Sequence, residues 1–355
     1  MVEPVGDPVL ASAVWQFIVH NWALLSTVTV IAALILIPIA ILRKYVLLTF
    51  NIIRDTPPPL SMGPRDFEPI QGEIVHFRAM DGLSLRGMFL FGTALKRKGT
   101  IIFVHEFASD MYSCARYCRP LIAAGYDVFS FDFREHGGSS REDNYTPRQW
   151  ATEHEMADMF GAIAFVEDWL EERNLPTEIG LFGISRGACC GILATQHYPR
   201  IACLVADGAF STDRILEHLM KRWAYIFAKV RFVYENHPPA FWQLLRYLLL
   251  RYSSRKLNCQ FPSVHKALKR MAPRPILFIH GQRDSYLPVE QANLLFDSAK
   301  EPKELWIVAG AKHNQAATVQ PEEYASRTVG FFDRYLAGIA GRIEPAEGKS
   351  IAERA

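Results

Sequence analysis

From residue 73 onward the chain alternates short apolar runs with stretches of helical spacing, and this alternation limits the fold more than any other feature. The runs 73–79, 84–91, 100–105, 126–132, 178–184, 201–206, 275–280 and 304–309 have the length and the β-branched and aromatic content of strands. The first two flank Met80-Asp81-Gly82 and read as a hairpin. Segments with helical period near 111–124, 152–173, 186–198, 289–299 and 321–337 separate most of the others, and Thr152 followed by Glu155 reads as a capping box. Parallel strands cannot be joined by tight turns and need crossovers, which helices supply. The pattern therefore predicts an α/β fold, a mostly parallel eight-stranded sheet with helices on both faces. Functional groups in such sheets gather at the carboxyl ends of the strands.

The front of the chain is different in kind. Residues 23–42 carry no charge and would form about 30 Å of helix, enough to cross a bilayer. Pro38 is tolerable there, and Trp15, Trp22 and Tyr45 stand where interfacial aromatics are expected. A cleaved signal peptide would start basic; this chain starts with Glu3 and Asp7 and reaches its first basic residues at Arg43-Lys44. The expectation is a retained transmembrane helix at 23–42 with a short non-cytoplasmic segment at 1–22. Because Lys and Arg collect on the cytoplasmic flank, the bulk of the chain is expected on the cytoplasmic side of a single-pass membrane protein. Residues 43–69, with prolines at 57, 58, 59, 64 and 69, read as a Pro-rich linker. A domain at 70–338 and a polar tail at 339–355 complete the expected organisation.

Composition then excludes several classes. A formal net charge of +2 over 355 residues does not suit a nucleic-acid binder that relies on bulk charge, nor an acidic disordered chain. The six cysteines show neither a disulfide framework nor metal spacing and are expected as buried thiols. There is no phosphate loop, dinucleotide fingerprint or Cys/His cluster, so neither a cofactor nor a metal is expected.

The chemistry begins at Gly183-Ile184-Ser185-Arg186-Gly187, a G-x-S-x-G placed between a strand and a helix. A sharp turn there would push the Ser185 hydroxyl out of the backbone, and the glycines let strand and helix approach closely. A serine hydroxyl becomes a nucleophile when a base takes its proton and an acid orients that base. Asp284 and His313 each follow a later strand, at the same sheet edge, in the order Ser…Asp…His. Asp207, after the strand at 201–206, is the competing acid. His105 and His280 end strands too, but each precedes a turn and is expected to bond locally.

These residues, with His280-Gly281, Pro288 and the segment Phe131-Asp132-Phe133-Arg134-Glu135-His136-Gly137-Gly138-Ser139, give residues 73–338 a resemblance to the α/β-hydrolase superfamily, in the branch of serine aminopeptidases, monoacylglycerol lipases and related esterases. The resemblance implies the α/β-hydrolase fold, a helical lid at about 213–272, and an oxyanion hole made by the backbone N–H groups of Phe107 and Arg186. Two positions depart from it. Glu135 replaces a small residue, and Glu106 stands where relatives of this branch carry Gly. A carboxylate facing the hole would oppose the developing charge; Glu106 is therefore expected to point away, paired with Arg134 or Arg186.

Residues 213–256 hold nine Lys/Arg against three acids, a local net of +6, interleaved with nine aromatics. This suits a lid with a basic face that packs over the pocket or rests on an anionic leaflet; single-stranded nucleic acid is the remote alternative. The reading is a membrane-anchored serine hydrolase that takes hydrophobic acyl esters, small-molecule or lipid, through an acyl-enzyme. The alternatives are an aminopeptidase-like enzyme and a non-catalytic, membrane-tethered interaction protein on the same scaffold. Oligomeric state is not legible.

Overall fold

All eight apolar runs form strands of one sheet. A computed structural model describes residues 8–55, 68–227, 237–271 and 273–337. The strands are β1 (Glu73–Arg78), β2 (Ser84–Leu90), β3 (Gly99–Val104), β4 (Tyr126–Phe131), β5 (Ile179–Ile184), β6 (Ile201–Asp207), β7 (Ile276–Gly281) and β8 (Lys303–Val308). Their order across the sheet is β1-β2-β4-β3-β5-β6-β7-β8. β1 and β2 form the expected hairpin, β2 pairs antiparallel with β4, and every later pair is parallel. Strands β3, β4, β5 and β7 are buried along their whole length, which is why they read as continuous apolar runs with no alternation.

The helices are α1 (Pro8–Asp55), α2 (Cys114–Ala123), α3 (Glu153–Glu172), α4 (Arg186–Thr195), α5 (Thr212–Phe227), α6 (Pro239–Leu257), α7 (Val264–Arg270), α8 (Val289–Ser298), the single turn α9 (Ala316–Val319) and α10 (Pro321–Phe332). Two cores lie on opposite faces of the sheet. One joins Met159, Ile163 and Val166 of α3 to Ile192 of α4 and to Leu245 and Leu249 of α6. The other joins Tyr117 and Leu121 of α2 to Phe103, Phe182 and Phe332. The capping box is present: Thr152 Oγ1 accepts the His154 amide at 3.2 Å and Glu155 Oε2 accepts the Thr152 amide at 3.0 Å. All six cysteines are buried thiols.

The segment expected as a lid carries helices α5, α6 and α7; residues 228–236 within it lie outside the described residues. Its middle helix α6 was expected to bury one apolar face, but it buries two. Trp242, Leu245, Leu249 and Ser253 face the domain, while Phe241 and Tyr252 pack edge-on against Tyr45 and Phe50 of α1 at 6.3 and 5.1 Å.

That contact corrects the reading of the N-terminal region. The helix does not stop at Leu42; it is one element of 48 residues, about 72 Å long. Its stretch Trp15–Ile52 is apolar and long enough to cross a membrane, with residues such as Leu34, Leu36 and Ile37 exposed. The first part of the expected linker, up to Asp55, is helical instead, and Val46, Thr49 and Phe50 are buried in it. Arg43 and Lys44 interrupt the apolar composition, but both are good helix formers, so the charge ends the apolar run without ending the helix. The triple proline and the tail at 339–355 lie outside the described residues.

Candidate active site

Ser185 sits at the turn from β5 into α4 with φ 52° and ψ −113°, a left-handed conformation that costs a non-glycine residue on the order of 1–3 kcal/mol. The glycines on either side make the turn sterically feasible. A Cβ on Gly187 would stand 2.1 Å from the Val104 carbonyl oxygen, and one on Gly183 would stand 2.5 Å from the Ala188 Cα. The buried Ser185 is held by its amide, which donates to the Asp207 carbonyl at 2.7 Å.

The structure brings Ser185, His313 and Asp284 together. Ser185 Oγ lies 3.0 Å from His313 Nε2, and His313 Nδ1 lies 2.6 Å from Asp284 Oδ2. A carboxylate only accepts, so the Nδ1 position carries the proton and Nε2 is left to accept from the serine hydroxyl. The other oxygen, Asp284 Oδ1, accepts the amides of Tyr286 and Leu287 at 2.9 and 2.7 Å. Those two donors lock the carboxylate plane. The loop after β7 thus orients the acid, and the loop after β8 carries the histidine to the end of β5.

The competing acid, Asp207, ends β6 but takes a different partner: its Oδ2 accepts from the Tyr324 hydroxyl at 2.8 Å. Burial pushes its carboxyl up to about 6, with Tyr324, His313 and Arg116 opposing. His280 bonds locally, as expected, whereas His105 does so through Nδ1 only, its Nε2 accepting the distant Phe133 amide at 3.2 Å. His280 Nε2 donates to the Leu287 carbonyl at 2.8 Å, and His105 Nδ1 to its neighbour, the Glu106 carbonyl, at 2.6 Å.

Phe107 follows β3 and Arg186 opens α4, where the first amides have no carbonyl one turn behind them. Neither amide donates to a backbone carbonyl among the described residues. Two free N–H groups at adjoining strand ends are what a developing oxyanion needs.

Glu106 departs from its expected pairing. Arg134 is buried among Asp158, Asp81 and Glu142, at 2.7, 2.8 and 2.5 Å, and Arg186 faces Glu155 at 3.4 Å. Glu106 instead turns towards α2, where its Oε2 is 3.4 Å from Ser113 Oγ. Burial raises its carboxyl above the ordinary range; Ser113, Arg116 and His313 pull the other way. The pairing fails because Arg134 is held by Asp158, Asp81 and Glu142, and Arg186 by Glu155, His136 and the Arg148 carbonyl, none of them near Glu106 in sequence. Glu135, the other departure, adopts φ 63° and caps the strain with a hydrogen bond from the Glu142 amide to its Oε1 at 2.5 Å.

Sequence reasoning missed the cradle of Arg186. Its guanidinium lies over the rings of Phe107 and Phe133 at 5.2 and 4.9 Å. It donates to the Arg148 carbonyl at 3.1 Å, to Glu155 Oε1, and to His136 Nε2 at 3.3 Å. His136 in turn donates from Nδ1 to the Arg134 carbonyl at 2.8 Å. Burial and the adjacent Arg186 hold the His136 imidazole down at about 3, so it stays neutral and accepts. The capping box carried the one legible hint, since Glu155 both caps α3 and faces Arg186.

The sequence pattern of the alpha/beta hydrolase fold matches residues 99–239. Among curated proteins, the chain is similar to the uncharacterized protein YqkD of Bacillus subtilis strain 168, 26% identical over 66% of this chain and 71% of that protein. It is similar to the uncharacterized protein YfhR of Escherichia coli K12 at 24% identity, over 70% of this chain and 76% of that one. Among solved structures it resembles the Pyrococcus furiosus esterase Pf2001, with a TM-score of 0.55 and 25% identity, covering 79% of this chain and 99% of the esterase. With its antiparallel first hairpin, its parallel remainder and helices on both faces of the sheet, this chain has the α/β-hydrolase fold.

Proposed function

We propose that the protein is a membrane-anchored serine hydrolase that cleaves ester-type bonds of hydrophobic acyl compounds. The observation that carries this reading is the continuous relay from Ser185 Oγ through His313 to Asp284, at 3.0 and 2.6 Å. The likeness to an archaeal esterase supports the ester class, and the length and exposure of α1 support the anchor.

In this mechanism His313 Nε2 takes the Ser185 proton as Oγ attacks the carbonyl carbon. The carbonyl oxygen becomes an oxyanion that the Phe107 and Arg186 amides stabilise, a contribution of about 3–4 kcal/mol for a donor of this kind. Asp284 holds the tautomer and offsets the imidazolium charge. Collapse of the tetrahedral species breaks the bond to the leaving alcohol, which receives the proton from His313. Water then attacks the acyl-Ser185 ester by the same route, restoring the free hydroxyl and releasing the acid. The Lys/Arg asymmetry around 23–42 supports a cytoplasmic catalytic domain.

Two measurements test the reading. A fluorophosphonate probe should label the wild-type chain and leave Ser185→Ala unlabelled; equal labelling of both removes Ser185 as nucleophile, and no labelling of either favours the non-catalytic scaffold. Hydrolysis of p-nitrophenyl esters of graded chain length should exceed that of aminoacyl anilides. The reverse order would make the enzyme a peptidase.

A further inference from the structure

The helix that would cross the membrane is also part of the lid. Taking 23–42 as the span, Val46 is the first residue buried beyond it, only four residues or about 6 Å along the axis. A headgroup layer is itself about 5–8 Å deep, so the docking of α1 on α6 begins inside that layer. The helix is unbroken through this point, and Tyr45, Val46, Thr49 and Phe50 are held against the lid.

The contacts of α6 leave one of its sides uncovered. Its contacts with α1 advance from Phe241 to Tyr252, about 16 Å, while those on α1 advance from Tyr45 to Phe50, about 8 Å. The two helices therefore advance in the same direction, with the Phe241 end of α6 nearer the span. Around α6, one side faces the domain through Trp242, Leu245 and Leu249, and a flank faces α1. The side opposite the domain exposes Leu244, Tyr247 and Arg251, spaced three and four residues apart, with Arg251 Nη1 donating to the Tyr247 hydroxyl at 3.3 Å. An apolar residue, an amphipathic tyrosine and an arginine in one stripe form the composition that settles at a headgroup boundary. The exposed Arg43 and Lys44 of α1 add positive charge beside it.

We propose that the outer face of α6 rests on the anionic phospholipid headgroups of the leaflet from which α1 emerges, and that the enzyme therefore draws bilayer-resident acyl esters into its lid. The class of substrate rests on the hydrolase reading; the docked surface does not. With α1 as a strut, the lid meets the leaflet without a flexible tether, and a single-chain lipid ester reaches Ser185 without first dissolving in water. Dissolved esters reach the same serine without needing the surface.

The full chain in nanodiscs of phosphatidylcholine with phosphatidylserine tests this at two levels. Since all six native cysteines are buried, a bimane label goes selectively to Tyr247→Cys, Lys44→Cys or Leu95→Cys, the last fully exposed at the opposite edge of the sheet. Lipids with a nitroxide near the headgroup should quench the labels at 247 and 44 and spare the one at 95. A label at 247 that stays as bright as that at 95 overturns the proposal, whatever the enzyme hydrolyses. At the second level, Leu244→Glu with Tyr247→Glu should slow hydrolysis of bilayer-embedded monoacylglycerol about tenfold and leave a soluble short-chain ester unaffected. Unchanged rates on both substrates refute the lipid route. Loss on both with quenching intact shows damage to the lid itself and also removes the lipid route, and hydrolysis of neither substrate by wild type refutes the hydrolase reading while the quenching still decides the surface.

Discussion

Replacing Asp284 with Asn offers the sharpest test of the proposed relay, because the structure dictates which way the new amide must face. Asp284 Oδ1 accepts two backbone amides, at 2.9 and 2.7 Å, and only an oxygen can do so. The asparagine is therefore pinned with its carbonyl on that side and its NH₂ on the side that faces His313 Nδ1, 2.6 Å away in the native protein. Rotating it would set an NH₂ against two N–H donors and cost about 1–3 kcal/mol for each unsatisfied group. An NH₂ facing Nδ1 demands an unprotonated Nδ1, so the proton moves to Nε2, and Nε2 can no longer accept from Ser185. Restoring the productive tautomer means facing donor to donor, and the imidazolium formed on attack loses its charge-assisted partner. Together these amount to about 5 kcal/mol, or a fall of about 10⁴ in kcat, in line with known serine hydrolases that lose their acid in this way. The assay is p-nitrophenyl ester hydrolysis, normalised by active-site titration, with thermal unfolding alongside to show that the fold persists. KM should move little. A loss smaller than tenfold, or a larger loss from Asp207→Asn, would refute the assignment of Asp284 as the orienting acid.

Four other outcomes follow from particular contacts. The buried Asp207 carboxyl keeps its proton up to about pH 6, whereas an unfolded one releases it near 3.9; the unfolded chain binds fewer protons in between, so this group lowers stability as pH rises from about 4 to 6. Asp207→Asn should thus stabilise the fold at pH 7 relative to pH 4, by an amount on the order of 2–3 kcal/mol, read from denaturant titrations at the two pH values; a difference that is flat with pH counts against it. Gly187→Ala would place its Cβ 2.1 Å from a backbone carbonyl and should abolish fluorophosphonate labelling or soluble expression; full labelling would show that the turn is looser than drawn. Glu135→Gly relieves a left-handed φ worth about 1–2 kcal/mol and forfeits one hydrogen bond of about 1 kcal/mol, so its midpoint of unfolding should rise slightly or hold, and a marked fall would contradict the strain. Glu106→Gly should keep more than about a hundredth of wild-type turnover, since the carboxyl faces Ser113 and carries no assigned step; a deeper loss would make it a participant in the oxyanion region.

The runs of β3, β4, β5 and β7 were legible because these strands are buried along their whole length, and burial leaves an apolar run of the right length. The turn at Ser185 was legible because its glycines, serine and flanking elements occupy consecutive positions. Asp284 and His313 could be chosen because a parallel sheet gathers the ends of its strands on one edge, so topology converts distance along the chain into proximity. The partners of Glu106 had no such signal. Arg134 and Arg186 looked available from sequence, yet Asp158 and Glu155, one helical turn apart on α3, had already claimed them.

The sequence by itself determined the sheet, its helices, the apolar span and the three side chains that meet at the strand ends, since each rests on a local period or on the order of strands. Only the tertiary structure decided that α1 runs on past Leu42 to dock on α6, that Glu106 turns away from both arginines, and that Arg186 lies between two aromatic rings. Those are pairings between segments tens to hundreds of residues apart. Their energies come from surfaces that do not exist until the chain has folded, and no local pattern of residues encodes which of several willing partners arrives first.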